Sequence, residues 1–379
     1  MTVVDTHPST HPPLPPTTED ARLAWLRLLR SHRIGIATFY RLLTEHGSAE
    51  AALDALPGIA RDAGVESYAP CSLATAEQEL NRGHRNGAQL LFLGGPGYPV
   101  QLLDLADPPP LLWVLGRPEM LSRPMVGVVG ARSASSLGLR MARSLAAELS
   151  EEGFVVVSGL ARGVDAEAHE ASLKSGTVAV QAGGVDTIYP QENADLASRI
   201  VRSGLRVSEQ PIGMKPMARH FPTRNRLVAG LARAVVVVEA AARSGSLITA
   251  RTALDQGRDV LAVPGHPFDP RAAGCNMLIR DGATLVRNAR DVIEALGPTA
   301  APETLRAPVR QGPTDTPRKP DSAPLRAAIL DRLGAAPLAE DTLIRDVSAA
   351  ARDVAPLLTD LELQGRIERC PGGMIALVR

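Results

Sequence analysis

Five short turns carry the residues best suited to chemistry. The first reads Val126-Gly-Val-Val-Gly-Ala-Arg-Ser-Ala-Ser-Ser-Leu-Gly138. An apolar strand runs into Gly130, and a helix opens near Ser136. The unpaired N–H groups of a helix start, with the hydroxyls of Ser133, Ser135 and Ser136 beside them, make an anion site. Arg132 adds a forked donor suited to phosphate. The loop is not G-x-G-x-x-G, and no acidic residue closes the second strand to hold a ribose, so dinucleotide binding is disfavoured.

The second turn, Ser158 to His169, again places Gly159 and Arg162 at a strand end. Asp165 and His169 are four apart on one helix face. No third ligand or nucleophile stands near, so Asp165 reads as a helix cap and His169 as a buried, hydrogen-bonded partner. The third turn, Ala182 to Pro190, carries Tyr189, which either stacks on a base or packs under its loop. The fourth region, residues 210–238, contains no acid. It holds Lys215, Arg219, His220, Arg224, Arg226 and Arg233, with Phe221 among them; the first three lie ahead of a helix expected over Arg224–Ala232. A solvated face normally mixes signs, whereas a one-signed cluster suits a polyanion. The fifth turn offers Arg243, Ser244, Gly245 and Ser246 before another helix. Its lone acid, Glu239, reads as an ion-pair partner for Arg243 or Arg226 rather than as a remnant of catalytic machinery.

The candidate phosphate-contacting set is therefore Gly130, Arg132, Ser133, Ser135, Arg162, Lys215, Arg219, Phe221, Arg224, Arg226, Arg243, Ser244, Gly245 and Ser246. The sequence shows no G-x-S-x-G elbow, Walker lysine or metal-ligand cluster. The site is equipped to hold phosphate and poorly equipped to break bonds. A non-enzymatic protein with neither cofactor nor metal is expected.

The elements that must position these turns alternate. Strands are expected at Val126–Val129, Phe154–Val157, Val178–Gln181, Leu205–Ser208, Ala234–Glu239, Val260–Val263 and Thr284–Val286, with helices between them. Apolar strands joined by helices give a parallel sheet covered on both faces, a doubly wound Rossmann-like α/β fold over 125–297. Residues 19–80 are helical in pattern. The run from Arg33 to Thr38 resembles the turn of a helix-hairpin-helix or SAM-like module, and a plain packing domain fits equally. Residues 1–18 read as a disordered tail, 81–124 as an extended lead-in with a short strand at Leu111–Leu115, and 298–324 as a linker. Three helices and a β-hairpin over 325–379 describe a winged helix.

The 379 residues, 45% hydrophobic and 22% charged, suit two or three globular domains. Net charge is zero, so any nucleic-acid surface is local. Three scattered cysteines, no signal-like N-terminus and no apolar run of membrane length point to the cytoplasm without a membrane anchor.

Taken jointly, Gly130-Ala-Arg132, Ser158-Gly-Leu-Ala-Arg-Gly-Val-Asp165, Phe221-Pro-Thr-Arg-Asn-Arg226 with Ala229-Gly-Leu231, Ser244-Gly-Ser-Leu-Ile-Thr249 and Val263-Pro-Gly265 resemble the DprA/Smf family in order and spacing. The resemblance spans about Arg22 to Leu296 and extends to the C-terminal domain around Leu361–Gly365. It implies a protein of natural transformation that binds and protects incoming single-stranded DNA, loads the recombinase RecA onto it and forms a homodimer through the Rossmann-like domain. It implies that Arg132 is the arginine of the family's Gly-x-Arg loop, and Arg219 the basic residue before its His-Phe pair. Many members carry Lys where this chain has Ala241; Arg243 is the candidate to compensate.

Two other readings fit parts of the sequence. A Rossmann-like phosphoribohydrolase would need a Pro-Gly-Gly-x-Gly-Thr loop, and Ser244-Gly-Ser stands in its place. A winged-helix transcription factor would read DNA with the helix over Ala351–Leu363, but that helix carries Asp353, Asp360 and Glu362 against Arg352 alone.

Overall fold

Three consecutive valines show how the sheet is covered. In the strand Val155–Ser158, Val155 and Val157 enter one core and Val156 enters the other. Side chains alternate across a strand, so a strand that is apolar throughout must have protein on both faces.

The structure, a computed structural model, describes residues 14–297 and, further on, 323–333, 338–347, 349, 354, 357, 358, 361, 366–370 and 374–377. The chain divides into two units between Thr304 and Leu305. The first unit begins with α1 (Glu19–Arg30), α2 (Ile36–His46), α3 (Ala49–Asp62) and α4 (Leu73–Arg85). It continues with β1 (Gln89–Phe92), β2 (Leu111–Gly116), β3 (Met125–Val129), α5 (Ser136–Glu151), β4 (Val155–Ser158), α6 (Val164–Ser172) and β5 (Thr177–Val180). Then come α7 (Ala194–Ser203), β6 (Leu205–Ser208), α8 (His220–Leu231), β7 (Ala234–Val237), α9 (Ser246–Asp255), β8 (Asp259–Ala262), α10 (Ala273–Arg280), β9 (Thr284–Leu285) and α11 (Ala289–Leu296).

The strands form one sheet in the order β1-β2-β6-β5-β4-β3-β7-β8-β9. From β6 to β9 every pairing is parallel. The chain winds outward from β3 through β4 and β5 to β6, then crosses back to start β7 on the other side of β3. The carboxyl ends of β3 and β7 therefore flank the topological switch point, where open α/β sheets bind ligands. Helices α5, α6 and α11 cover one face, while α8, α9 and the N-terminal helices share a core with the other.

The expected parallel sheet needs an amendment at its edge. The lead-in is not merely extended: β1 and β2 pair antiparallel, and β2 joins β6 antiparallel, so the sheet is mixed there. A buried cluster anchors the helical region to this edge. The Glu79 carboxylate accepts from Arg30 Nε and Nη2, and from Trp113 Nε1 of β2, each at 2.9 Å.

Residues 1–13 of the expected tail lie outside the described residues. Residues 14–18 are placed: Pro16 is buried, and the Thr18 hydroxyl caps α1 by accepting Ala21 N–H at 3.2 Å. The expected linker lies outside the described residues up to position 322.

The second unit contains α12 (Ala323–Arg332), β10 (Leu338–Ala339), α13 (Glu340–Asp346), β11 (Ile367–Cys370) and β12 (Met374–Leu377). Its strands pair antiparallel in the order β10-β12-β11. Val354, Leu357, Leu358 and Leu361 are helical and share a core with Ile329, Leu343, Ile367 and Ile375. Three helical segments on a small sheet are the parts of a winged helix.

Candidate nucleic-acid interface

A cleft of about 800 Å³ opens at the switch point. Gly130, Arg132 and Ser133 line it from the end of β3, and Gly159 lines it from the end of β4. Phe221 and Arg224 of α8, and Arg243, Ser244, Gly245 and Ser246 after β7, complete much of the wall. Ala241 lines the same wall as Arg243.

The Arg132 guanidinium carbon stands 5.2 Å from the centroid of the Phe221 ring, a cation–π arrangement. Phe221 in turn meets Tyr189, with ring centroids 5.7 Å apart and planes at 55°. Tyr189 is half exposed, so its ring is not packed away beneath the loop. Cation and π-faces thus share one rim, matching a ligand made of phosphates and bases.

The anion site expected at the start of α5 is already filled. Glu239, 7% exposed, places Oε2 2.8 Å from the Ser135 N–H. The Ser135 hydroxyl accepts the Gly138 N–H at 3.0 Å. Ser135 is therefore a helix cap and not a ligand contact, and it lines a neighbouring cavity instead. A side chain at Gly138 would collide with the Glu239 carboxylate. Glu239 pairs neither with Arg243 nor with Arg226; its partner is Arg271, at 3.5 Å.

Two expected contacts are internal ties, and α8 starts at His220, one turn ahead of the expected Arg224. Pro222 is tolerated there, in the first helical turn. Arg224 and Arg226, both inside this helix, face protein. Arg224 Nη1 donates to the carbonyls of Gly159 and Val180, joining the ends of β4 and β5, while Nε donates to Asn225 Oδ1 at 3.1 Å. Burial pulls its guanidinium down to about 10, opposed by Asp165, so it stays charged at neutral pH. It supplies positive potential at the floor of the cleft, but its Nη1 is committed. Arg226 leaves the candidate set altogether. It is buried against Glu209 and donates Nη1 to the Asp107 carbonyl at 2.8 Å, binding α8 to the segment between β1 and β2.

Arg162 is also engaged, in an exposed ion pair with Glu192 at 2.7 Å, and does not line the cleft. Lys215 and Arg219 are exposed but stand outside its wall. Ser246 lines the cleft yet is buried, its hydroxyl 2.7 Å from that of Ser244.

Asp165 does not cap α6, whose cap is Gly163 in a positive-φ conformation (φ 71°). The carboxylate instead accepts Gly159 N–H at 3.1 Å and Ala161 N–H at 3.4 Å, fixing the second turn. Burial pushes its carboxyl up from the ordinary range, against the pull of Arg224. His169 is the buried partner expected. The Thr177 hydroxyl donates to the Val156 carbonyl, so His169 Nδ1 donates to Thr177 Oγ1, and Nε2 accepts the Leu160 N–H.

Arg271 lines the cleft and was missed from sequence. Asp269 two residues away breaks the one-signed pattern that picked out the other cations. Among the described residues, no group of three or more His, Cys, Asp or Glu side chains is placed to hold a metal, and no helix is long and apolar enough to cross a membrane.

Topology and cleft together define a Rossmann-like α/β protein with an open cleft at the switch point. Comparison with known proteins narrows the class. Residues 89–297 match the family model of the DNA recombination-mediator protein A, and the chain belongs to that family. Residues 19–81 match a DprA-like N-terminal HHH domain, and residues 313–373 a DprA winged helix domain. Protein Smf of Synechocystis sp. is 35% identical over 326 residues, covering 78% of this chain and 81% of that protein. The crystal structure of DNA processing protein A from Streptococcus pneumoniae superposes with a TM-score of 0.54 at 33% identity, covering 68% of this chain and 97% of that one. The Helicobacter pylori protein of the same name, studied for its single-stranded-DNA binding mode, gives 0.51 at 31% identity over 55% of this chain and 95% of that one.

Proposed function

We propose that this chain binds single-stranded DNA in the switch-point cleft and acts as a non-enzymatic recombination mediator. The observation that carries the reading is the rim itself, where Arg132 lies on the Phe221 ring, Phe221 meets Tyr189, and Arg243 joins the same wall. Cations contact phosphates and π-faces contact bases, without a base-pairing code. Such a site tracks a strand and tolerates any sequence. The contacting set is narrower than the sequence suggested: Gly130, Arg132, Ser133, Phe221, Arg243, Ser244 and Gly245, with Arg219 and Lys215 flanking. The single-stranded ligand of the Helicobacter pylori relative supports this choice.

The wider role follows the family: protection of incoming single strands during natural transformation and loading of RecA in the cytoplasm, by a homodimer. A mobility-shift experiment comparing single- and double-stranded oligonucleotides tests the binding reading. Preferential, salt-sensitive retardation of the single strand is expected, and no retardation of it overturns the reading. Adding RecA and following filament growth on strands coated by a single-strand-binding protein tests the loading role. Incubation with nucleoside monophosphates should release no base.

A further inference from the structure

Beyond β8 a loop holds an aromatic ring out in water. Phe268 is 91% exposed, the most exposed of the large hydrophobic side chains among the described residues. An isolated apolar side chain at a surface is ordinary, but this one stands on a pinned turn. Gly265 N–H donates to Asn276 Oδ1 at 3.1 Å, and Asn276 Nδ2 returns a bond to the Gly265 carbonyl at 3.0 Å. Phe268 N–H donates to His266 Nδ1 at 3.3 Å, and Asp269 N–H to the His266 carbonyl at 2.9 Å. The His266 and Phe268 rings lie 5.6 Å apart with 38° between their planes. The turn therefore presents two rings as one unit.

Because β8 runs parallel to β7, this loop leaves the same edge of the sheet as the turns carrying Arg132, Tyr189 and Arg243. Tyr189 follows β5, and the loop follows β8, four strand spacings away. At about 4.8 Å per spacing that is roughly 19 Å along the edge. Arg271 of the same loop lines the cleft, while His266 lines the neighbouring cavity beside α5. Arg271 is itself engaged by Asp269 and Glu239, so the loop adds little uncommitted positive charge. What it adds is π-surface.

We infer that His266 and Phe268 form a second base-stacking platform, at the opposite end of the cleft from Tyr189 and Phe221, for the same bound strand. This rests on the single-stranded-DNA reading above. A strand rising about 3.4 Å per nucleotide needs about six nucleotides to cover the distance. An oligomer of about three nucleotides stacked on Tyr189 spans about 10 Å and stops short of Phe268.

The test measures fluorescence anisotropy with the full chain and three probes: oligo-dA of about three and about twelve nucleotides, and an abasic oligomer of the longer length. Phe268→Ala should weaken the longer oligo-dA roughly 5- to 150-fold, the usual span for loss of one stacking aromatic. The short and abasic probes should bind as they do to the wild type. Phe268→Leu should behave like Phe268→Ala, since it keeps apolar bulk without a π-face. Unchanged affinity of Phe268→Ala for the longer oligo-dA, an equal loss on the abasic probe, or wild-type affinity in Phe268→Leu each overturns the proposal. A changed oligomeric state with unaltered affinity assigns the ring to protein contact and also overturns it. If Arg132→Ala weakens every probe while Phe268→Ala weakens none, the platform fails and the cleft reading stands. If the wild type binds no probe, the cleft reading itself has failed.

Discussion

The Glu239 carboxylate accepts the Ser135 N–H at 2.8 Å, at the helix start where a nucleotide phosphate would sit in many related folds. The chain thus supplies its own anion to α5. The cations of the cleft are left to a ligand approaching from the rim, which favours a polymer backbone over a small nucleotide.

Removing that carboxylate should destabilise the fold. Glu239→Ala leaves the Ser135 N–H without its acceptor and Arg271 with only Asp269. The expected loss is about 1–3 kcal/mol, the usual penalty for orphaning a buried polar group. Urea unfolding measures it, and a wild-type midpoint in Glu239→Ala would show that the helix start is satisfied by water.

Arg132 and Arg243 should behave as phosphate contacts. Each Ala substitution should weaken single-strand binding across all sequences and reduce the slope of log K against log salt by about 0.7. A titration series at varied salt reads this directly. Wild-type slopes in both variants would place the phosphates elsewhere.

Arg226 should separate from that pair. Arg226→Ala strands the buried Glu209 carboxylate, whose carboxyl burial already pushes up against the pull of Arg226. The expected cost is about 3–5 kcal/mol of stability. For variant protein that remains folded, the salt slope should match the wild type. A lowered slope would return Arg226 to the DNA contacts.

His169 should make the fold acid-sensitive. Burial, with Arg224 adding to it, pulls the imidazole down to about 3. The unfolded chain's histidine titrates at about 6.5. Between those values the unfolded state holds the extra proton, so stability falls as pH drops below about 6.5. At pH 5 the loss from this one group is about 2 kcal/mol relative to neutral pH. Unfolding free energies for wild type and His169→Gln across pH 4.5–7 test it, with the wild-type slope exceeding the variant's by about one proton. Parallel profiles would remove His169 as the cause.

The strand-and-helix alternation was legible because each strand is a short run of valine and its neighbours, and each turn a cluster of Gly, Ser and Arg. Residues that belong to the cleft through local sequence, such as Gly130, Arg132, Ser133, Arg243 and Ser244, were legible for the same reason. The antiparallel edge was not. β1 and β2 are separated by a Pro- and Gly-rich stretch with no hairpin signal, and their pairing depends on what β6 leaves exposed.

By itself the sequence determined the order of elements, the parallel core and the turns that gather at one edge, since these depend on periodicity and turn chemistry within a few residues. Only the tertiary structure decided which arginines face solvent. Arg224 and Arg226 look identical in sequence to Arg219, but they lie on the inward face of α8, which meets Gly159, Val180 and Glu209. A charge becomes a ligand contact or an internal tie according to what other segments bring within hydrogen-bonding reach, and those segments are distant in the chain.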